Sequence, residues 1–182
     1  SIDWFENRFN QGLAEINEHF EKFRISDALM ATYKLVWDDF CSWYLEMIKP
    51  AYQHPIDQMT YDKTIEIFER ILKILHPFMP FITEELWQLT GERAQELIVA
   101  EWPVALYEVD TDAQGEIDWL IRLVSAIRTA RTELNVPPGA KLRMVVRDAS
   151  ETTRGRLDRQ GAALARLGRI ESLAFGEDVA GG

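Results

Sequence analysis

The stretch "YKLVWDDFCSWYLEMIKP", residues 33–50, constrains the fold more than any other part of the chain. On a helical wheel at about 100° per residue, Val36, Trp37, Phe40, Cys41, Trp43, Tyr44, Leu45, Met47 and Ile48 fill an arc of about 200°. Asp38, Asp39, Ser42, Glu46 and Lys49 share the remainder. A helix that packs on one neighbour needs an apolar face of only about 100°. This helix is therefore expected to be an inner member of a bundle, with Trp37, Phe40, Trp43 and Tyr44 in its core. Cys41, inside the same arc, reads as a small buried hydrophobe rather than a reactive thiol. Asp38 and Asp39 diverge by about 100° and read as a solvated strip, not an acid/base pair.

Other helical periods surround it. Trp4, Phe5, Phe9, Leu13, Ile16 and Phe20 recur at three and four, which predicts a first helix over residues 4–23. "RISDALM" supplies a break, with Ser26 as N-cap and Asp27 in the first turn of a second helix that Pro50 ends. Thr60 is placed to cap a third helix over 61–76, with Ile65, Phe68, Ile71, Leu72 and Leu75 as its stripe. Pro77 and Pro80 force a turn before a short helix through Glu84, Glu85 and Trp87 that Gly91 ends. Four helices in this span predict an antiparallel bundle.

Beyond a polar connection over 92–115, containing one extended piece "LIVAEWP", the pattern changes. Residues 116–134 are helical, with Ile117, Leu120, Ile121, Val124, Ile127 and Leu134 on one side and Arg122, Arg128 and Arg131 on the other. "NVPPG" is a turn, "KLRMVVR" and "IESLAF" have strand composition, and a helix ending at Gly168 lies between them. The fold class expected is mainly α: a helical bundle over 1–113, then a small α+β unit over 114–182. A two-stranded sheet is too small to stand alone.

Charge narrows the chemistry. The net charge is −10. It is −4 over residues 1–50, −8 over 51–115 and +2 over 116–182, where ten arginines accompany the single lysine Lys141. Such a chain is not expected to hold nucleic acid nonspecifically, so any such role must rest on a local patch. One cysteine and three histidines, His19, His54 and His76, offer neither an internal disulfide nor zinc-ligand spacing. No phosphate-binding glycine pattern, nucleophile elbow or kinase signature is present, and no catalytic residue or metal site is expected. No run of about 18 apolar residues occurs, so no membrane partner is expected and the compartment is read as cytoplasmic. First-turn acids account for Glu84 and Glu85; a free-standing hydrolase would rest on isolated acids such as Glu84 or Asp39 alone.

"YKLVWDDFCSWYLEMIKP", "LHPFMPFITEELW" (75–87), "LIVAEWP" (97–103) and "IRTARTELNVPPGAKL" (127–142) together resemble the post-catalytic region of the bacterial valyl-tRNA synthetases. "HPFMPFITEELW" is similar to a segment shared by the class I synthetases for valine, leucine, isoleucine and methionine. "WDDFCSWYLEMIKP" and "IRTARTELNVPPG" narrow the likeness to the valine enzymes. The resemblance covers nearly the whole chain. It implies a helical anticodon-binding domain, then a small mixed subdomain leading to a coiled-coil arm that this sequence does not include. The HIGH and KMSKS signatures that hold ATP are not found here. The implied parent charges valine tRNA with ATP and magnesium on an N-terminal catalytic domain, while this piece alone is non-catalytic. A monomer is expected.

Anticodon bases are unpaired and are read by stacking on aromatic or guanidinium planes and by hydrogen bonds to base edges. The tRNA-binding candidates are Arg8 and Asn10 in "ENRFNQ", and Lys22, Phe23, Arg24 and Ile25 in "EKFRISD"; the resemblance places the family's anticodon contacts in this same helix and junction. Without it, Arg8 reads as an ordinary solvated charge and Phe23 as core. Arg122, Arg128 and Arg131 either touch tRNA phosphates or solubilise the second unit. Two other readings stand beside this one: an acidic helical scaffold for protein partners, motivated by residues 51–115, and the equivalent domain of an isoleucyl- or leucyl-type synthetase.

Overall fold

A computed structural model describes residues 1–105 and 111–176 of the chain. It is mainly helical and divides into two compact units, Ser1–Thr111 and Asp112–Gly182.

In the first unit, α1 (Ile2–Glu21) is followed by α2 (Ile25–Tyr33), which runs without interruption into a π-helical segment, Lys34–Tyr44, and a last α-turn, α3 (Leu45–Ile48). α4 (Gln58–Leu75), α5 (Pro80–Leu89) and a 3-10 turn at Leu97–Val99 complete it. α1 buries Trp4, Phe5, Phe9, Leu13 and Ile16, five of the six residues its periodicity selects. Phe5 meets Phe40 at 5.3 Å and Tyr44 at 5.0 Å between ring centroids. The Tyr44 hydroxyl pairs with Thr64 Oγ1 at 2.9 Å, so the polar tip of this buried ring is satisfied. Arg70 of α4 ties back to Glu6 of α1 and lies over the Phe9 ring, 4.0 Å from its centroid.

The π-helix corrects the expectation for Trp37. A π-helix bonds i to i+5, turning roughly 82° per residue rather than about 100°. Relative to Phe40, Leu35 moves from about 140° away on an α-helix to about 50° away here, while Trp37 swings from about 60° to about 114°. Leu35, Phe40 and Tyr44 thus share the buried face, and Trp37 is 58% exposed, stacked on Tyr33 at 6.2 Å. The Ser42 hydroxyl donates to the Trp37 carbonyl, five residues back, at 2.8 Å. Trp43 and Cys41 are half-buried. Desolvation raises the Cys41 thiol above its ordinary range, which disfavours a reactive thiolate.

Several helix ends also differ. α2 starts at Ile25 behind Arg24 rather than behind Ser26. α4 is capped by Asp57, whose carboxylate accepts from Thr60 N at 2.9 Å, so Thr60 is a first-turn residue. Glu84 lies in the body of α5, where its Oε2 accepts from Leu97 N at 2.8 Å, at the start of a 3-10 turn that takes the first three residues of the expected extended piece, with Ala100 extended after it.

In the second unit, α6 (Thr111–Glu133) buries Ile117, Leu120 and Val124, while Leu134, expected on the same stripe, is exposed beyond its end. β1 (Leu142–Val146) and β2 (Ile170–Phe175) pair in parallel, Met144 opposite Leu173, with an irregularity between Leu142 and Arg143. α7 (Glu151–Gly168) connects them, capped by Ser150, whose hydroxyl accepts from Thr153 N at 3.2 Å. Among the described residues, no helix is long and apolar enough to cross a membrane.

Candidate nucleic-acid interface

The end of α1 builds the most unusual surface of the first unit. Phe23 N donates to Phe20 O at 3.0 Å and Arg24 N to His19 O at 2.8 Å, the paired bonds of a left-handed helix C-cap. Such a cap needs positive φ at the residue beyond the last helical turn, a place where glycine is usual. Here it is Phe23, at φ 56°. The turn drives the ring outward, and Phe23 is 88% exposed. Lys22, ion-paired to Glu18, and Arg24 flank it on exposed backbone. Ile25, also exposed, opens α2. The Lys22 ammonium, first by its hydrogen bond and then by its charge, holds the Glu18 carboxyl below the ordinary glutamate range.

The corner therefore brings together Lys22, Phe23, Arg24 and Ile25. Arg8 and Asn10 stand apart: at 1.5 Å rise per residue Arg8 lies about 22 Å back along α1 from Phe23. Both are half-buried, and the Arg8 guanidinium sits 5.7 Å from the centre of the Trp4 ring.

Sequence reasoning missed the continuation of this surface. Met30, Tyr33 and Trp37 are exposed along α2 and the π-helix. Met30 and Tyr33, with Glu15, His19, Asp27, Lys34 and Asp38, line a shallow groove of about 420 Å³, and Trp37 stacks on Tyr33. Spacings of three and four from Met30 to Tyr33 to Trp37 form an apolar stripe that a sequence cannot distinguish from a core face. The groove pairs exposed π faces with carboxylates beside a corner of cations. Aromatic faces can stack unpaired bases, carboxylates can accept from base amino groups, and the cations suit phosphates.

The arginines of the second unit are differently employed. Arg122 is exposed. Arg128 donates through Nε and Nη2 to Leu167 O, at 3.3 and 3.2 Å, and so closes the end of α7. Arg131 is buried, its Nη2 bonded to Pro137 O at 3.1 Å and to Ala140 O at 2.7 Å, which pins the "NVPPG" turn. Among the described residues, no group of three or more His, Cys, Asp or Glu side chains is placed to hold a metal ion.

Residues 3–146 match the family model described as the anticodon-binding domain of tRNA ligase. The chain is similar to a valine--tRNA ligase of Rhizorhabdus wittichii, 50% identical over 164 residues, 87% of this chain and 18% of that protein. It is also similar to one of Christiangramia forsetii, 42% identical over 96% of this chain and 20% of the relative. A third, from Parabacteroides distasonis, is 38% identical over 100% of this chain and 20% of the relative. The chain thus spans about a fifth of the length of the curated relatives it matches. With the family model covering most of its length, the chain belongs to the anticodon-binding domains of the tRNA ligases.

Proposed function

We propose that the chain binds the anticodon arm of valine tRNA and positions that tRNA for ATP-dependent aminoacylation by a catalytic domain of the same polypeptide. The observation that carries the reading is the exposed corner at Phe23, an aromatic ring held outward at positive φ between Lys22 and Arg24. A ring so placed contributes little to the core, and stacking on an unpaired base gives it a partner. Lys22 and Arg24 would neutralise phosphates, Ile25 would close the apolar edge, and the groove beside Tyr33 and Trp37 would admit base edges. Arg8 and Asn10, farther along α1, would meet a more distant part of the same RNA. ATP and magnesium belong, on this proposal, to the catalytic domain. The protein would work in the cytoplasm as a monomer.

Titration of the chain with valine tRNA across a salt series tests this. The expected result is weak binding that falls as salt rises and weakens when the anticodon is changed. Binding indifferent to the anticodon would overturn it. Recovery of a stoichiometric protein partner without tRNA would favour the acidic-scaffold reading.

A further inference from the structure

The helix α5 is apolar on two sides. Inward, Trp87 packs with Leu72 and Leu97, and Thr83 is buried too. Outward, at about 100° per residue, Phe81, Ile82, Glu85, Gln88 and Leu89 fall within an arc of about 120°. Phe81 is 90% exposed, Leu89 76% and Ile82 44%. The 3-10 turn packed against the same helix leaves Ile98 and Val99 exposed as well. A helix apolar all round is one that a folded protein covers all round, and clustered exposed apolar side chains mark an interaction surface.

The charge of the face selects what can cover it. Glu85 stands at the middle of the arc, and among the described residues no cation pairs with it. Residues 51–115 carry a net charge of −8, so an RNA strand is repelled. A second copy seated there about a two-fold axis would press the two Glu85 carboxylates together in an apolar seam. What fits is a protein surface that is apolar and sets a lysine or arginine against Glu85. Size then bears on where that surface comes from. Three outward apolar side chains on one short helix bury too little to hold a separate partner against the freedom it would lose, whereas a tethered domain has lost most of that freedom already. The chain spans about a fifth of the length of the relatives it matches, and a protein of that length can supply such a domain in cis.

We propose that the outward face of α5 is the seat of another domain of the same polypeptide, outside the present sequence, with Phe81, Ile82 and Leu89 buried in the contact and Glu85 ion-paired at its centre. This seat is independent of the anticodon reading, which uses the corner at Phe23.

Hydrogen exchange over residues 80–89 tests it, measured by mass spectrometry in this chain and in the full-length polypeptide encoded by its gene. The amides of α5 should exchange roughly ten-fold more slowly in the full-length protein. Phe81→Asp and Glu85→Lys, each on the exposed face, should leave the melting temperature of the 182-residue chain unchanged and remove that slowing in the full-length protein. Equal exchange in the two polypeptides, or a difference that both variants retain, would overturn the proposal. So would a gene that encodes this chain alone. Dimerisation of the chain that Phe81→Asp abolishes would overturn it in favour of a second copy, and slowing of α5 by tRNA in the chain itself would overturn it in favour of RNA. Binding of tRNA without any anticodon preference, with the slowing intact, would defeat the function proposed above and leave this seat standing.

Discussion

The backbone N–H of Arg24 donates to the carbonyl of His19 at 2.8 Å, and this bond closes the turn that holds Phe23 out of the core at φ 56°. The positive φ and the exposure of the ring have one cause. A chain that must end α1 in the left-handed conformation turns the next side chain toward solvent, so replacing that side chain tests its use without disturbing what lies beneath.

Phe23→Gly should leave the fold as stable or slightly more stable. The left-handed conformation costs an L-residue about 1–2 kcal/mol, and the added freedom of glycine in the unfolded chain returns roughly 0.4–1 kcal/mol of that. Phe23→Val, β-branched at positive φ, should be less stable than either. Thermal melts of the three chains check the order, and a clear fall for the glycine variant would show that the ring packs.

The two aromatic faces of the π-helix should separate cleanly in denaturant. Phe40→Ala removes a buried ring wedged against Phe5 and Tyr44, and should cost about 3–5 kcal/mol. Trp37→Ala, at 58% exposure, should cost under about 1 kcal/mol. Equal urea midpoints for the two variants would contradict the winding that puts Leu35 and not Trp37 beside Phe40.

Glu6 and Arg70, 13% and 11% exposed, form an ion pair between α1 and α4. Removing Glu6 alone leaves Arg70 buried without its carboxylate, so Glu6→Ala should cost about 3–5 kcal/mol. A double-mutant cycle with Arg70→Met checks whether the loss belongs to the orphaned charge, since the double variant should then recover part of it.

Arg159, chiefly by hydrogen bonding, holds the Glu116 carboxyl below the ordinary glutamate range. A carboxylate depressed in the folded state adds stability above its unfolded pKa, near 4.3, and loses it as pH falls through the lower folded value. Wild type should therefore lose stability below about pH 4.3 more steeply than Glu116→Gln, whose residue 116 does not titrate. Parallel acid-limb profiles would show that the pair contributes nothing measurable.

The helical periods of α1 and α4 were legible because each presents one apolar stripe to one core, and the strand–helix–strand order of the second unit was legible from composition and turn residues. The π-helix was not. Its residues are those of an ordinary amphipathic helix, and no residue type in it marks the winding that buries Leu35, Phe40 and Tyr44 and exposes Trp37. Caps were mistaken by a few residues where two candidates compete, as Asp57 and Thr60 do. For the candidate interface, the junction after α1 stood out as a cluster of cations and an aromatic, but the exposure of Phe23 depends on a backbone angle that no residue type announces. The employment of Arg128 and Arg131 on carbonyls of their own unit was likewise invisible, because those carbonyls come from a distant helix end and a turn.

On the function proposed above, the corner at Phe23 meets unpaired bases of the anticodon loop. The most direct measurement is the affinity for valine tRNA of wild type and of Phe23→Gly at one salt concentration. Loss of one base-stacking platform is worth about 1–3 kcal/mol whichever base it carries, so the variant should bind the tRNA about 5- to 150-fold more weakly while its melting temperature holds. Wild-type affinity in Phe23→Gly would contradict that reading.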